Sequence, residues 1–216
     1  MVNRGELPDN VIAFPAGGKA GAPKLPGTTD PSSLQREVTV LLAEVRDWTT
    51  VSSALGATKA RTVLSKVIEA ILARLGDSSG EHLVLDGDPA QPTISCEFEG
   101  HDAPVRALRA ALAIRDGVAE MQRSAQPGER FRIAMGLDTG EITHVSDESL
   151  TYQAVGAMRM VAARLRDFAG PGQIFLTRHV YEEAGPSSLE VEPLGDIRIS
   201  AHGDTKEAFS LTGLSE

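Results

Sequence analysis

What the sequence has little of already limits the class of protein it can be. Its 216 residues include a single cysteine, Cys96, which excludes an internal disulfide. Aromatic residues make up only 4% of the chain and hydrophobic residues 41%, so the core must be mostly aliphatic. No apolar run approaches the roughly 18 residues that a membrane-spanning helix needs. The N-terminus also lacks the continuous apolar segment of a secretory signal, so we expect a cytoplasmic protein.

Positive charge is scarce as well. The 21 lysines and arginines are outnumbered by 30 aspartates and glutamates, which gives a formal net charge of −9. An acidic chain without a basic stripe is a poor ligand for the phosphate backbone of a nucleic acid. We therefore expect neither a nucleic-acid partner nor a membrane partner.

The beginning of the chain differs in composition from the rest. Residues 1–35 are rich in Pro, Gly, Ala and Ser and show no apolar period, which predicts a disordered tail before a folded domain at residues 36–216. Within this tail the stretch NVIAFPAGG is an apolar island. It is either a loosely packed stretch or a short segment that docks on a protein partner.

From Val38 onward the sequence alternates between strand and helix patterns. Long helices are predicted in TKARTVLSKVIEAILARLG and APVRALRAALAIRDGVAEM, with the strands HLVL and TISCEF between them. RIAMGLDTGEITHV predicts two strands separated by a sharp bend at Asp138–Gly140, and MVAARLRDFAG predicts a short helix. The order β-α-β-β-α-β, then α-β-α-β-β, indicates an α+β fold with helices packed on a mixed, mainly antiparallel sheet.

Several blocks of this sequence resemble the class III nucleotidyl cyclase catalytic domain, over about Glu37 to Leu214. VTVLLAEVRDWTT is similar to its first strand and phosphate-cradling turn, VxxLFADIRGFTT, and HDAPVRALRAALAIRDGV to its second long helix. RIAMGLDTGEI is similar to RIGIHTGEV, and AARLRDFAGPGQIFLTRHVYEEAG and LGDIRISAHGDTKEAFSLTGL to the end of the domain. The resemblance implies a ferredoxin-like βαββαβ core. It also implies a head-to-tail dimer, so we expect a homodimer or a heterodimer with another cyclase-like chain.

The resemblance further implies a reaction in which a ribose 3′-hydroxyl attacks the α-phosphate while two carboxylate-bound metal ions assist. The first metal-binding carboxylate of the family, an Asp, falls on Glu44, whose side chain is one methylene longer. The second metal-binding position of the family falls on Asp88 when residues are counted forward from the strand HLVL. It falls on Pro92 when they are counted backward from the strand TISCEF. The difference indicates an insertion in the turn between these strands. Asp88 is otherwise explained as an ordinary turn residue.

The family positions that hold the nucleotide are altered too. The purine-reading Lys or Glu falls on Val84, and its partner falls on Gln153, which could contact a base edge. In GAMRMVAARL the phosphate-stabilising arginine is retained as Arg164, but the ribose-orienting asparagine is replaced by Met160. The triphosphate-binding lysine falls on Ser200. The alternative to a phosphate-stabilising role for Arg164 is an ordinary ion pair on the surface or at an interface.

These replacements favour a catalytically inactive cyclase-like domain with a regulatory, dimerisation or protein-docking role and no resident cofactor. Losing a single preorganised catalytic donor typically costs about 10²–10³ in rate, and here several groups differ together. Two alternatives remain. One is a nucleotide sensor whose cleft still binds a ligand. The other is an active but atypical adenylate or guanylate cyclase, which would use Mg²⁺ or Mn²⁺ to form a cyclic nucleotide from a nucleoside triphosphate.

Overall fold

The structure, a computed structural model, describes residues 35–86, 91–123, 125–126, 130–143 and 148–215, with the backbone alone at residues 35, 86, 143 and 148–153. The strands are β1 Gln35–Arg46, β2 Glu81–Asp86, β3 Thr93–Glu99, β4 Arg132–Thr143, β5 Ile174–Thr177, β6 Leu189–Arg198 and β7 Thr205–Leu214. The helices are α1 Trp48–Leu55, α2 Ala57–Asp77, α3 Ala103–Gln122, α4 Glu148–Phe168 and α5 Arg178–Glu183. The predicted tail and Asp88 lie outside the described residues.

The strands form one sheet in the order β2-β3-β1-β4-β5-β7-β6. Neighbouring strands are antiparallel, except for β4 and β5, which are parallel. The predicted α+β fold with a mainly antiparallel sheet is confirmed, and β2-β3-β1-β4 is its ferredoxin-like part. None of the helices in the described ranges combines the length and apolarity that crossing a membrane requires.

The two faces of β1 pack against different helices, because successive side chains of a strand point in opposite directions. Leu41 and Val45 belong to the large core beneath α2 and α3. Val40 and Leu42 pack instead against α4 on the other face, together with Met158. Glu44 has the same parity as Val40 and Leu42, so its carboxylate lies on the face that α4 covers.

Strand β4 runs without a break through Asp138–Gly140, so the predicted bend there is wrong. The glycines of this strand serve helix packing instead. A Cβ added at Gly136 would lie 2.0 Å from the Ala162 carbonyl oxygen, so only glycine lets α4 approach this closely. A Cβ at Gly140 would lie 3.1 Å from the Met158 sulfur. Helix α4 is also longer than the predicted short helix, at 21 residues, and α1 was not predicted.

Candidate functional site

The candidate site begins at Glu44, near the carboxyl end of β1. The register places Glu44 opposite Thr93 on β3 and opposite Ala134 on β4. Glu44 is only 6% exposed, because the last turns of α4 lie over this part of the sheet. A buried carboxylate needs partners that compensate its charge.

Those partners are two arginines. Arg166 of α4 places its Nε 2.9 Å from Glu44 Oε2, and Arg46 of β1 places its Nε 3.5 Å from Glu44 Oε1. The Arg166 guanidinium also lies 2.8 Å from an Asp167 carboxylate oxygen and donates to the Thr93 hydroxyl at 3.4 Å. Arg46 in turn donates to the Arg166 carbonyl oxygen at 2.5 Å. Glu44 is therefore held in a buried cluster with two guanidinium groups.

A second arginine of α4 reaches the sheet two helical turns earlier. Arg159 lies 2.6 Å from Glu97 Oε1, and Glu97 is only 9% exposed. Arg159 and Arg166 are seven residues apart, which places them on the same side of the helix. Together the two ion pairs fasten α4 to β1 and β3. This role of the two arginines was not predicted, although their seven-residue spacing is a signal for it.

Arg164 points away from Glu44. Its Nε donates to the Arg198 carbonyl oxygen of β6 at 3.1 Å, and its guanidinium lies 4.6 Å from the centre of the Phe168 ring. Met160 is 70% exposed on the outer surface of α4. Arg164 thus packs against its own chain, and the partners that the structure gives it are a carbonyl and a ring rather than a carboxylate.

The remaining predicted site residues are dispersed. Val84 is 41% exposed on β2, and the Ser200 hydroxyl donates to Asp204 Oδ2 at 2.7 Å. Gln153 lies in α4, but its side chain is outside the described residues, as is all of Asp88. Among the described side chains, the structure brings none of these predicted residues to Glu44.

Comparison with known proteins identifies the family. A family model described as the adenylate and guanylate cyclase catalytic domain matches residues 31–213. The chain belongs to this family. The resemblance seen in the sequence is thereby confirmed, although no curated protein matches the chain.

Solved cyclase structures share the fold. The adenylyl cyclase CyaB from P. aeruginosa has 15% identity and a TM-score of 0.63, over 84% of this chain and 96% of that one. The adenylate/guanylate cyclase/hydrolase from Silicibacter pomeroyi has 20% identity and a TM-score of 0.62, over 82% and 97%. A dimeric guanylyl cyclase domain of the RhoGC fusion protein from the aquatic fungus Blastocladiella emersonii has 18% identity and a TM-score of 0.62, over 84% and 99%. At such identities the likeness shows the fold alone.

The described residues around Glu44 do not fit the carboxylate-bound metal ions that the cyclase family uses. Mg²⁺ takes oxygen ligands in a nearly ideal octahedron. Here both carboxylate oxygens of Glu44 already face guanidinium groups, and the neighbouring Thr93 offers only a neutral hydroxyl. A metal ion at Glu44 would have to displace Arg166.

Other side chains that could ligate a metal gather elsewhere on this cyclase domain. Ligand atoms of Glu81, His82 and Glu99 lie within 4.8 Å of one another, near the start of β2. Glu99 ends β3 and also binds Arg36 at 2.7 Å, whereas Thr93, opposite Glu44, begins β3. The cluster is therefore at the far end of β3 from the metal position that the cyclase resemblance implies.

The turn after β1, where cyclases are expected to cradle phosphates, carries an acid. Asp47 stands where the family pattern has glycine and takes a left-handed φ of 60°. It accepts a hydrogen bond from Arg132, which lowers the pKa of Asp47. An ionised carboxylate paired with the Arg132 guanidinium therefore lies beside the start of α1.

Asp138 is a further buried carboxyl on the α4 face, and no functional role was predicted for it. It is 2% exposed and accepts a hydrogen bond from the Thr177 hydroxyl at 2.7 Å. Burial raises the pKa of Asp138, while the Thr177 bond and Lys206, 3.8 Å away, oppose the rise.

Proposed function

We propose that this chain is a catalytically inactive member of the cyclase family whose role is regulatory, exerted through dimerisation or docking on another protein. The observation that carries the proposal is the buried cluster of Glu44 with Arg166 and Arg46. In a catalytic cyclase domain, the corresponding carboxylate would hold a metal ion beside the reacting phosphate.

Charge repulsion is the physical reason why this cluster opposes catalysis. Two unit positive charges 4 Å apart repel by about 4 kcal/mol at an effective dielectric constant of 20, and a divalent ion doubles that figure. Expelling Arg166 would also break its contacts with Thr93 and Asp167. Metal binding at Glu44 therefore meets charge repulsion if Arg166 stays in place, or the loss of these contacts if Arg166 leaves.

The groups that would hold a nucleotide support the same proposal. Met160 has no hydrogen-bond donor for a ribose, and Val84 none for a purine. Ser200 offers no positive charge and already bonds Asp204, while Arg164 is engaged by the Arg198 carbonyl. Catalytic groups that act as a unit fail together, so several replacements leave little turnover.

The exposed side of α4 supports a docking role. Met160 is 70% and Phe168 is 49% exposed, although both are large apolar side chains. One neighbour, the Blastocladiella emersonii domain, is described as dimeric in one crystal structure and as monomeric in another. We propose a cytoplasmic homodimer, or a heterodimer with a cyclase-like chain, in which Met160 contacts the partner. Met160→Glu should then weaken assembly in light scattering, and Arg123→Glu, at the exposed residue that follows α3, should not.

An activity assay tests the proposed function. The purified protein is incubated with ATP or GTP and with Mg²⁺ or Mn²⁺, and cyclic nucleotide is measured by mass spectrometry. We expect no product above that of the matched Glu44→Ala variant. Glu44-dependent product would make the chain an active atypical cyclase. Nucleotide binding in calorimetry without turnover would instead favour a nucleotide sensor.

A further inference from the structure

Three carboxylates crowd the place where β2 begins and β3 ends. Glu97 and Glu99 lie on the same face of β3, and the register places Glu81 of β2 directly opposite Glu97. Like charges placed directly opposite each other on a sheet are destabilising. Arg159 binds Glu97 at 2.6 Å and Arg36 binds Glu99 at 2.7 Å. The salt bridges among the described residues leave the third carboxylate, that of Glu81, without a lysine or arginine partner.

An irregularity at the start of β2 brings a histidine to the same place. Successive side chains of a regular strand point to opposite faces, which would separate Glu81 from His82. The pairing of β2 with β3 shifts between Glu81 and Val84, and His82 has a left-handed φ of 46°. A bulge of this kind re-aims a side chain. As a result, ligand atoms of Glu81, His82 and Glu99 lie within 4.8 Å of one another.

Glu99 divides its two carboxylate oxygens between two neighbours. Arg36 Nη1 donates to Oε2 at 2.7 Å, whereas Oε1 lies 3.9 Å from His82 Nε2. The contact with Arg36 orients the carboxylate and leaves Oε1 available to a ligand. Partners that orient a ligating side chain in this way are typical of metal sites in proteins. Glu81 and His82 are exposed, so their side chains can move toward Glu99 without disturbing the core.

We propose that Glu81, His82 and Glu99 bind a zinc ion. Zinc binds nitrogen and oxygen ligands at about 2.0–2.2 Å, which places two ligand atoms of a tetrahedral site about 3.4 Å apart. The ligand atoms, which lie within 4.8 Å of one another, therefore need to close by on the order of 1 Å. Two carboxylates balance the charge of the divalent ion, and the imidazole favours zinc over Mg²⁺. Three protein ligands leave one position for water.

Zinc at this position would fasten the start of β2 to the last residue of β3. It would also compensate the carboxylates that crowd this end of the sheet. Because the three ligands converge only in the folded chain, zinc should stabilise the folded state increasingly as its concentration exceeds the dissociation constant. The site lies at the other end of β3 from Thr93, which faces Glu44, so it is independent of the proposed function.

Calorimetric titration of the metal-free, full-length protein with zinc chloride tests the site. We expect one zinc ion per chain, and Glu81→Gln, His82→Gln and Glu99→Gln should each lower the affinity at least tenfold. His101→Gln is the matched control, because His101 Nδ1 also lies 3.8 Å from a carboxylate oxygen, that of Glu37. Among the described residues, no third ligand joins this second pair within 4.8 Å. The control should therefore bind zinc as the unmodified protein does.

A glycine at position 82 separates the ligand from the backbone conformation. Glycine adopts a left-handed φ without the steric cost that a side chain imposes, so metal-free His82→Gly should unfold at the same temperature as the unmodified protein or higher. The variant lacks the imidazole, so zinc should raise its unfolding temperature much less than that of the unmodified protein. A purely structural role of His82 would leave the response to zinc unchanged.

Millimolar Mg²⁺ in the same titration distinguishes a zinc site from a general acidic surface. Mg²⁺ prefers oxygen ligands and keeps several of its waters, so it should not displace zinc that His82 helps to hold. The proposal is overturned if Mg²⁺ abolishes zinc binding, if His82→Gln and His101→Gln bind zinc equally, or if no zinc binds. Failure of the proposed function looks different, because it appears as Glu44-dependent cyclic nucleotide and leaves these zinc affinities unchanged.

Discussion

Replacing Arg166 with alanine should destabilise the protein by about 3 kcal/mol, at the low end of the roughly 3–5 kcal/mol lost when a buried ion pair loses one partner. The side chains of Arg166 and Glu44 are only 15% and 8% exposed, so solvent screens their interaction little. The low end applies because Arg46 remains 3.5 Å from Glu44 and compensates part of its charge. The contacts of Arg166 with Thr93 and Asp167 are lost as well.

Urea unfolding followed by circular dichroism measures this loss. With a slope of about 2 kcal/mol per molar urea, 3 kcal/mol lowers the midpoint by about 1.5 M. Arg164→Ala is the matched control on the same helix. Arg164 makes one hydrogen bond to a carbonyl and stacks on Phe168, so its loss should cost about 1 kcal/mol or less.

The double variant Glu44→Gln/Arg166→Ala separates charge from packing. Neutralising Glu44 removes the uncompensated buried charge, so the double variant should be more stable than Arg166→Ala alone. The reasoning fails if Arg166→Ala costs no more than Arg164→Ala. It also fails if Glu44→Gln destabilises the Arg166→Ala protein further.

Two other substitutions test the packing and the pH dependence of the α4 face. Gly136→Ala should cost about 3 kcal/mol in urea unfolding, because its Cβ would overlap the Ala162 carbonyl oxygen. Gly156→Ala should stabilise by up to about 1 kcal/mol, because its Cβ would meet no described atom within 4 Å outside the backbone of its own helix. Equal effects would refute the close approach of α4. Burial raises the pKa of Asp138 in the folded protein. Between the ordinary carboxyl pKa and this raised pKa, the folded protein keeps a proton that the unfolded chain has lost. The folded state therefore becomes less stable as the pH rises from the ordinary to the raised pKa. Asp138→Asn removes this pH dependence. The stability of the variant relative to that of the unmodified protein should therefore be greater at pH 7 than at pH 4. The opposite trend would contradict a raised pKa of Asp138.

Periodicity and local motifs were enough to predict the architecture. Apolar spacing predicted α2 and α3, and the short strands β2 and β3 between them, which indicated a layered α+β fold. These signals are local, since each depends on residues a few positions apart. The bend predicted at Asp138–Gly140 was wrong because glycine was taken as a turn residue, whereas Gly140 serves the contact with α4.

The partners of Glu44 could not be predicted from the sequence. The spacing of Arg159 and Arg166 places both on one side of α4, but many acids could receive them. Only the register of β1 with β3 brings Glu44 and Glu97 beneath that side of the helix. The positions of Glu44 and Arg164 were identified from the family resemblance, which implied what those positions do in cyclases and not what contacts them here.

Manganese binding tests most directly whether Glu44 is held by arginine rather than available to a metal. Electron paramagnetic resonance of free Mn²⁺ is recorded during titration of two variants, Glu99→Gln and Glu44→Gln/Glu99→Gln. The shared Glu99→Gln change removes one carboxylate of the cluster near β2. We predict that the two proteins deplete free Mn²⁺ equally, because Arg166 and Arg46 already occupy the Glu44 carboxylate. A manganese ion bound by the protein with Glu44, and lost on its change to Gln, would contradict the account.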